Sequence, residues 1–186
     1  MRIISGKFKG KKLFLPDDKV TRPLKDIVKE SIFNLIQHSK KIETNIENSF
    51  VLDLFSGSGS FGIECLSRGA KKIIFLENYS KAIKILNKNL SLLKNANNFE
   101  IYEKNFFNFF STKRVLNLKF DIIFIDPPYK ELKINQIIET ILEKKILNDK
   151  GILIIHRHKK ESIKITKNLR IIEERIYGVS KILFGN

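Results

Sequence analysis

Asp126-Pro127-Pro128-Tyr129 closes the apolar run Phe120-Asp121-Ile122-Ile123-Phe124-Ile125. Two consecutive prolines remove two backbone donors and fix φ, so the chain after Asp126 is stiff and continues neither a helix nor a sheet. At the carboxyl end of a strand, where open α/β sheets bind ligands, this string would hold an acid, a carbonyl and an aromatic ring at one cleft edge. That trio suits a planar base carrying an –NH2 group. The Asp126 carboxylate and the Pro127 carbonyl can accept from the amine, and Tyr129 can stack on the ring. An ordinary Pro-Pro loop with an incidental acid and ring would read the same, so the string needs a companion.

The companion is Val51-Leu52-Asp53-Leu54-Phe55-Ser56-Gly57-Ser58-Gly59-Ser60-Phe61-Gly62. It reads as a buried strand, a glycine-rich turn and a helix start, with Gly57, Gly59 and Gly62 in the G-x-G-x-x-G spacing that lets backbone approach a nucleotide-like ligand. Tight strand-to-helix packing could also require those glycines. The next strand ends at Glu77, 15 residues after Gly62, where a carboxylate can accept both hydroxyls of a ribose. Farther on, Asn105 could bond an adenine amino group while Phe106 flanks the ring. Both NAD and S-adenosylmethionine (AdoMet) would use glycines and an acid after the second strand. Asp53 separates them: a negative charge inside the first strand suits an amine or a sulfonium better than a pyrophosphate. Asp-Pro-Pro-Tyr, moreover, has no evident place in hydride transfer. AdoMet is therefore the expected cofactor, with Asp53, Phe55, Gly57, Gly59, Glu77, Asn105, Phe106 and Asp126 as the residues expected to bind it.

These residues need a frame. Apolar runs predict strands at Val51–Phe55, Lys72–Glu77, Phe99–Glu103, Phe120–Asp126 and Ile152–His156. Helices are predicted near Lys25–His38, Gly59–Arg68, Ser80–Leu93 and Ile134–Lys144, with a helical turn around Phe106–Ser111. In the first helix, Ile27, Val28, Ser31, Ile32 and Leu35 form the expected inner stripe. Strands alternating with helices imply a parallel, doubly wound sheet. Leu169–Tyr177 and Val179–Phe184, parted only by Gly178, read instead as an antiparallel hairpin. The expected fold class is α/β: a Rossmann-like class I AdoMet-dependent methyltransferase with a mostly parallel seven-stranded sheet ending in an antiparallel hairpin. A small N-terminal β-hairpin and helix extension precedes it. Residues 1–48 are assigned to that extension and residues 49–186 to the methyltransferase domain.

The chain has 186 residues and a formal net charge of +15, which points to a polyanionic partner. The excess is spread evenly. Residues 1–50 carry 11 basic and 6 acidic groups, 51–130 carry 12 and 7, and 131–186 carry 12 and 7. Richness in Ile, Lys, Asn and Phe, as an AT-rich genome would encode, could account for part of it. The N-terminus stands apart, because Arg2, Lys7, Lys9, Lys11 and Lys12 all precede the first acid, Asp17. They alternate with Ile4, Phe8, Leu13 and Phe14, which reads as a hairpin presenting basic side chains to phosphates. The apolar runs fall well short of the roughly 20 residues that cross a bilayer, and the opening turns polar at once, so neither a membrane span nor a signal peptide is expected. A single cysteine, Cys65, excludes an internal disulfide and fits a reducing cytoplasm; it reads as a small core residue. His38, His156 and His158 lack a third ligand at metal spacing and read as surface histidines, so no metal is expected.

Taken together, these motifs resemble the RsmD family, bacterial methyltransferases of guanine N2 in 16S ribosomal RNA. The resemblance covers nearly the whole chain. It rests on the opening Arg2-Ile3-Ile4-Ser5-Gly6-Lys7-Phe8-Lys9-Gly10-Lys11-Lys12-Leu13, on Arg22-Pro23, Asp26, Glu30 and Phe33-Asn34, on the Asp53–Gly62 loop, on Asp126–Tyr129 and on Tyr177-Gly178. It implies catalysis by Asp126, Pro127 and Tyr129. It also implies contact with 16S rRNA, inside a 30S assembly intermediate, by Arg2, Lys7, Lys9, Lys11, Lys12, Arg22 and Tyr129. A cytoplasmic monomer is expected. Leu24, Ile27, Lys29 and His156 depart from the family pattern; arginines are usual in place of Ile27 and Lys29, and a glutamate in place of His156. Lys is a point charge where Arg is a planar fork. Two rivals share parts of the pattern: a DNA adenine-N6 methyltransferase, and a non-catalytic RNA-binding assembly factor.

Overall fold

The computed structural model describes residues 1–17, 24–112, 118–128, 131–161, 163 and 168–186. Arg22 and Tyr129, expected at the RNA and catalytic sites, lie outside the described residues. The elements are α1 (Asp26–His38), β1 (Phe50–Leu54), α2 (Ser60–Ser67), β2 (Lys72–Leu76), α3 (Ser80–Ser91), β3 (Phe99–Tyr102), α4 (Phe106–Phe110), β4 (Phe120–Ile125), α5 (Ile134–Glu143), β5 (Leu147–His158), β6 (Ile171–Tyr177) and β7 (Ser180–Gly185). Seven strands form one sheet in the order β3-β2-β1-β4-β5-β7-β6. β1 to β5 run parallel, and β7 lies antiparallel between β5 and β6. Strand order reverses between β1 and β4, and a doubly wound sheet opens its binding crevice at that switch point. The fold is the Rossmann-like class I methyltransferase fold.

Each face of the sheet carries its own apolar layer. Val51, Ile122, Phe124, Ile152 and Ile154 pack with α1, α2 and the N-terminal segment. Leu52, Leu54, Ile123, Ile125, Leu153 and Ile155 pack with α4 and α5. The period-2 alternation of strand side chains sorts these residues to opposite faces. Asp53 and Asp126 follow the parity of Val51 and Phe124, and therefore belong to the α1 and α2 side. No helix among the described residues is long and apolar enough to cross a membrane.

Three elements differ from expectation. The buried stripe of α1 is Val28, Lys29, Ile32, Phe33 and Ile36, while Ile27 is 65% exposed. Phe33 turns the helix inward by stacking on Phe61 (5.2 Å between centroids), which stacks in turn on Phe124 (4.1 Å). β5 begins five residues earlier than predicted, because Leu147 already pairs with Phe120. The N-terminal hairpin is present as a single antiparallel bridge, Arg2 with Lys12. Ile3 and Leu13 N–H cross it to the Lys11 and Met1 carbonyls (2.9 and 3.1 Å), while other donors go to α2: Ile4 and Ser5 N–H donate to the Glu64 carboxylate (2.7 and 2.9 Å), and Phe8 N–H donates to Ser67 Oγ (2.9 Å). Gly6 permits the approach, since a Cβ there would lie 1.8 Å from the Ser67 carbonyl oxygen.

Candidate active site

The turn after β1 is held from three sides. Phe55 adopts a left-handed conformation (φ 59°), a strained state for a residue with a side chain and one that concentrates at ligand sites. Ser56 Oγ donates to the Asp53 carbonyl at 2.7 Å, and Gly59 N–H donates to the Ser56 carbonyl at 2.7 Å. Gly62 sits where α2 presses on the sheet: a Cβ would meet the Phe75 ring at 2.3 Å. Its N–H donates to Asp53 Oδ2 at 3.0 Å. The third glycine thus serves helix–strand packing and an acid, whereas Gly57 and Gly59 shape the turn itself.

Glu77 lies just beyond β2 and is buried. Its Oε2 accepts from Gly57 N–H (2.7 Å), and its Oε1 accepts from Asn78 and Tyr79 N–H (2.8 and 2.9 Å). The carboxylate therefore ties the glycine turn to the second strand while keeping lone pairs for a diol. Phe55, Leu76, Glu77, Asn78, Lys104, Asn105 and Phe106 line one small cleft, which brings four of the expected cofactor residues together. Asn105 has a structural duty as well: its Oδ1 caps α4 by accepting from Asn108 N–H at 2.9 Å. Phe106 is largely sunk into the α4 and α5 layer. A wider groove of about 720 Å³ between α1 and β6 is lined by residues such as Glu30, Ser31, Arg175 and Tyr177. Of the three expected carboxylates, Glu77 lines the small cleft, Asp53 and Asp126 do not, and none lines that groove, so size does not select the site.

Asp53, Glu77 and Asp126 give the cleft its electrostatics. Burial pushes the Asp53 carboxyl up to about 8, opposed by the Gly62 N–H and reinforced by the nearby charges of Asp126 and Glu77. A crowded set of acceptors, with Asp53 and Glu77 buried and Asp126 half-buried, asks for a cation. A ligand carrying a sulfonium and an ammonium group meets that demand, and a pyrophosphate would worsen it.

Asp126 follows β4, whose Ile125 pairs with Ile155 of β5. That register sets Asp126 beside His156, and His156 Nδ1 lies 2.8 Å from Asp126 Oδ1. His156 is thus buried at the active-site edge, which corrects the expectation of a surface histidine; the contact spans 30 residues and has no local signature. Local reading misses Arg157 as well. It donates to the Pro128 carbonyl at 3.1 Å and reaches the Pro127 carbonyl at 3.5 Å. Asn89 is a third residue of this kind. Fully buried on α3, it donates to the carbonyls of Ser58 (2.8 Å) and Phe14 (3.0 Å) and accepts from Phe14 N–H (2.8 Å). One amide therefore joins the basic N-terminal segment to the glycine turn.

Lys29, the residue in an arginine position, is buried against Glu64 (3.7 Å) and donates to the Arg2 carbonyl at 2.7 Å. It supports the arm from below. Arg2, Lys7, Lys9, Lys11 and Lys12 are exposed, as phosphate contact requires.

Across residues 1–186 the chain matches the family model described as Conserved hypothetical protein 95. This chain belongs to the RsmD family. It is 33% identical over 181 residues to the Ribosomal RNA small subunit methyltransferase D of Haemophilus influenzae, covering 96% of this chain and 90% of that protein. The protein of that name from Buchnera aphidicola subsp. Acyrthosiphon pisum is 34% identical over 174 residues, covering 94% and 86%. The solved structure of yhhF from Escherichia coli superposes with a TM-score of 0.82 at 28% identity, covering 100% of this chain and 96% of that one. Membership in the RsmD family extends over the N-terminal segment as well as the sheet.

Proposed function

We propose that this RsmD-family chain transfers a methyl group from AdoMet to the exocyclic N2 of a guanine in 16S rRNA, as a cytoplasmic monomer acting on a small-subunit assembly intermediate without a metal. The observation that carries this reading is the Asp126 carboxylate at the β1–β4 switch point, fixed by its neighbour strand and flanked by the Asp53 and Glu77 carboxylates. The names of the Haemophilus and Buchnera relatives support the ribosomal substrate.

The acceptor-rich cleft fits AdoMet. Asp53 and the Gly57–Gly59 turn would hold its charged end, and Glu77 would take the ribose. Asn105 and Phe106 would border the base. Bound there, AdoMet supplies an electrophilic methyl on sulfur. The chain's own task is to prepare the nucleophile, because the guanine amine is weak while its lone pair is delocalised into the ring. Accepting N–H hydrogens at Asp126 and at the Pro127 carbonyl favours a pyramidal nitrogen and directs its lone pair. Orientation of this kind is where an enzyme gains most in a two-substrate transfer. Asp126 further stabilises the positive charge that develops on nitrogen. The methylated amine is acidic enough to release its proton to water. Extracting the base from its stack costs a few kcal/mol, and stacking on Tyr129 would return about 1–3 kcal/mol.

Asp126→Asn tests the assignment. It keeps the shape and the hydrogen bond to His156, so AdoMet affinity measured by calorimetry should fall far less than methyl transfer to 30S particles, which should drop by at least about 100-fold. Near-normal turnover would remove Asp126 from the reaction.

A further inference from the structure

We infer that His156 is the positioning residue of the transfer, orienting Asp126 through Nδ1–H; this deepens the reading above and rests on it. Three observations support the assignment. His156 Nδ1 lies 2.8 Å from Asp126 Oδ1. Since a carboxylate only accepts, the proton of that bond sits on Nδ1. Asp126 has no other side-chain hydrogen bond among the described residues, so the ring alone sets the carboxylate's rotation there. The remaining ring nitrogen, Nε2, is buried without a hydrogen-bond partner among the described residues. A side chain present only for packing would not carry an orphaned polar atom, which native interiors avoid. The imidazole is kept for what its other nitrogen does.

β5 grips the loop from both sides. His156 takes Asp126 on the α1 face of the sheet, and Arg157, next in sequence and facing the other way, takes the Pro128 carbonyl at 3.1 Å. Asp126 itself continues from β4 with a long backbone bond to Leu54 (3.4 Å). With Oδ1 committed to the imidazole, Oδ2 is the oxygen available to the amine, and its direction follows from the ring.

Two variants test the role. Leucine at this position fills the space without a donor, and asparagine puts an N–H near the position of Nδ1. His156→Leu should lower kcat by about 10- to 100-fold, with AdoMet affinity and Tm unchanged. His156→Asn should recover most of kcat. Wild-type kcat in His156→Leu, or equal loss in both variants, would overturn the inference. NMR of nitrogen-labelled imidazoles adds a readout that needs no turnover. The resonance that disappears in His156→Leu should belong to a ring protonated at Nδ1, and Asp126→Ala should shift it. Protonation at Nε2 alone would overturn the positioning role whether or not the protein methylates RNA. Absence of methyl transfer in the wild-type protein alongside the Nδ1 signature would count against the proposed substrate and reaction instead, while upholding the hydrogen bond.

Discussion

Asp53 shows how a single carboxyl can report on the whole cleft. Its folded value of about 8 lies above its ordinary 3.8 because burial penalises the charge. Between these values the folded chain binds more protons than the unfolded one. Stability from this group therefore falls as pH rises from about 4 to 8, the opposite of an acid held by a salt bridge. Asp53→Asn should flatten that slope in urea titrations at several pH values; an unaltered slope would place the titration elsewhere. A cation bound beside Asp53 reverses the preference, so AdoMet uptake should release protons near neutral pH, measurable as a buffer-dependent heat. The placement of Gly57, Gly59, Glu77 and Asp126 is readable from sequence because each sits at a strand end or in a turn. His156 and Asn89 are not, since their partners lie 30 and 75 residues away.

At the scale of elements, α2 is the hub. Its Glu64 is fully buried and accepts from Ile4 and Ser5 N–H and from Arg68 Nε (2.9 Å), with Lys29 at 3.7 Å. Removing the carboxylate leaves a buried ammonium poorly compensated. Glu64→Ala should cost about 3 kcal/mol or more, roughly 10 °C in Tm for a chain of this size; a fall of less than about 2 °C would show the network to be dispensable. Asn89→Leu should cost about 1–3 kcal/mol by stranding the Phe14 N–H and two carbonyls, and should loosen the arm first, as hydrogen exchange at Phe14 would reveal. Strand positions are legible to within two residues, apart from the start of β5, because two-sided burial writes continuous apolar runs in most of them. The α1 stripe departs from expectation at Ile27, Ser31 and Leu35, with Lys29, Phe33 and Ile36 buried in their place; Lys29 escapes because a charge reads as an outward marker although its ammonium is satisfied within.

For the whole molecule, the +15 charge includes five cations that precede the first acid in the N-terminal arm, and Glu64, Ser67 and Asn89 fasten that arm next to the glycine turn. The glycine turn and the basic arm therefore share one support. Charge reversal at Lys9, Lys11 and Lys12 should weaken RNA binding and reduce its salt slope by roughly one for each phosphate no longer neutralised, leaving AdoMet affinity intact. An unchanged slope would reduce those lysines to solvated surface. The most direct measurement supplies the purified protein with labelled AdoMet and either 30S particles from cells lacking its gene or duplex DNA, then identifies the modified nucleoside by mass spectrometry. The account predicts N2-methylguanosine in 16S rRNA and no label in DNA. N6-methyladenine in the DNA, or no label in either substrate from folded protein, would contradict it.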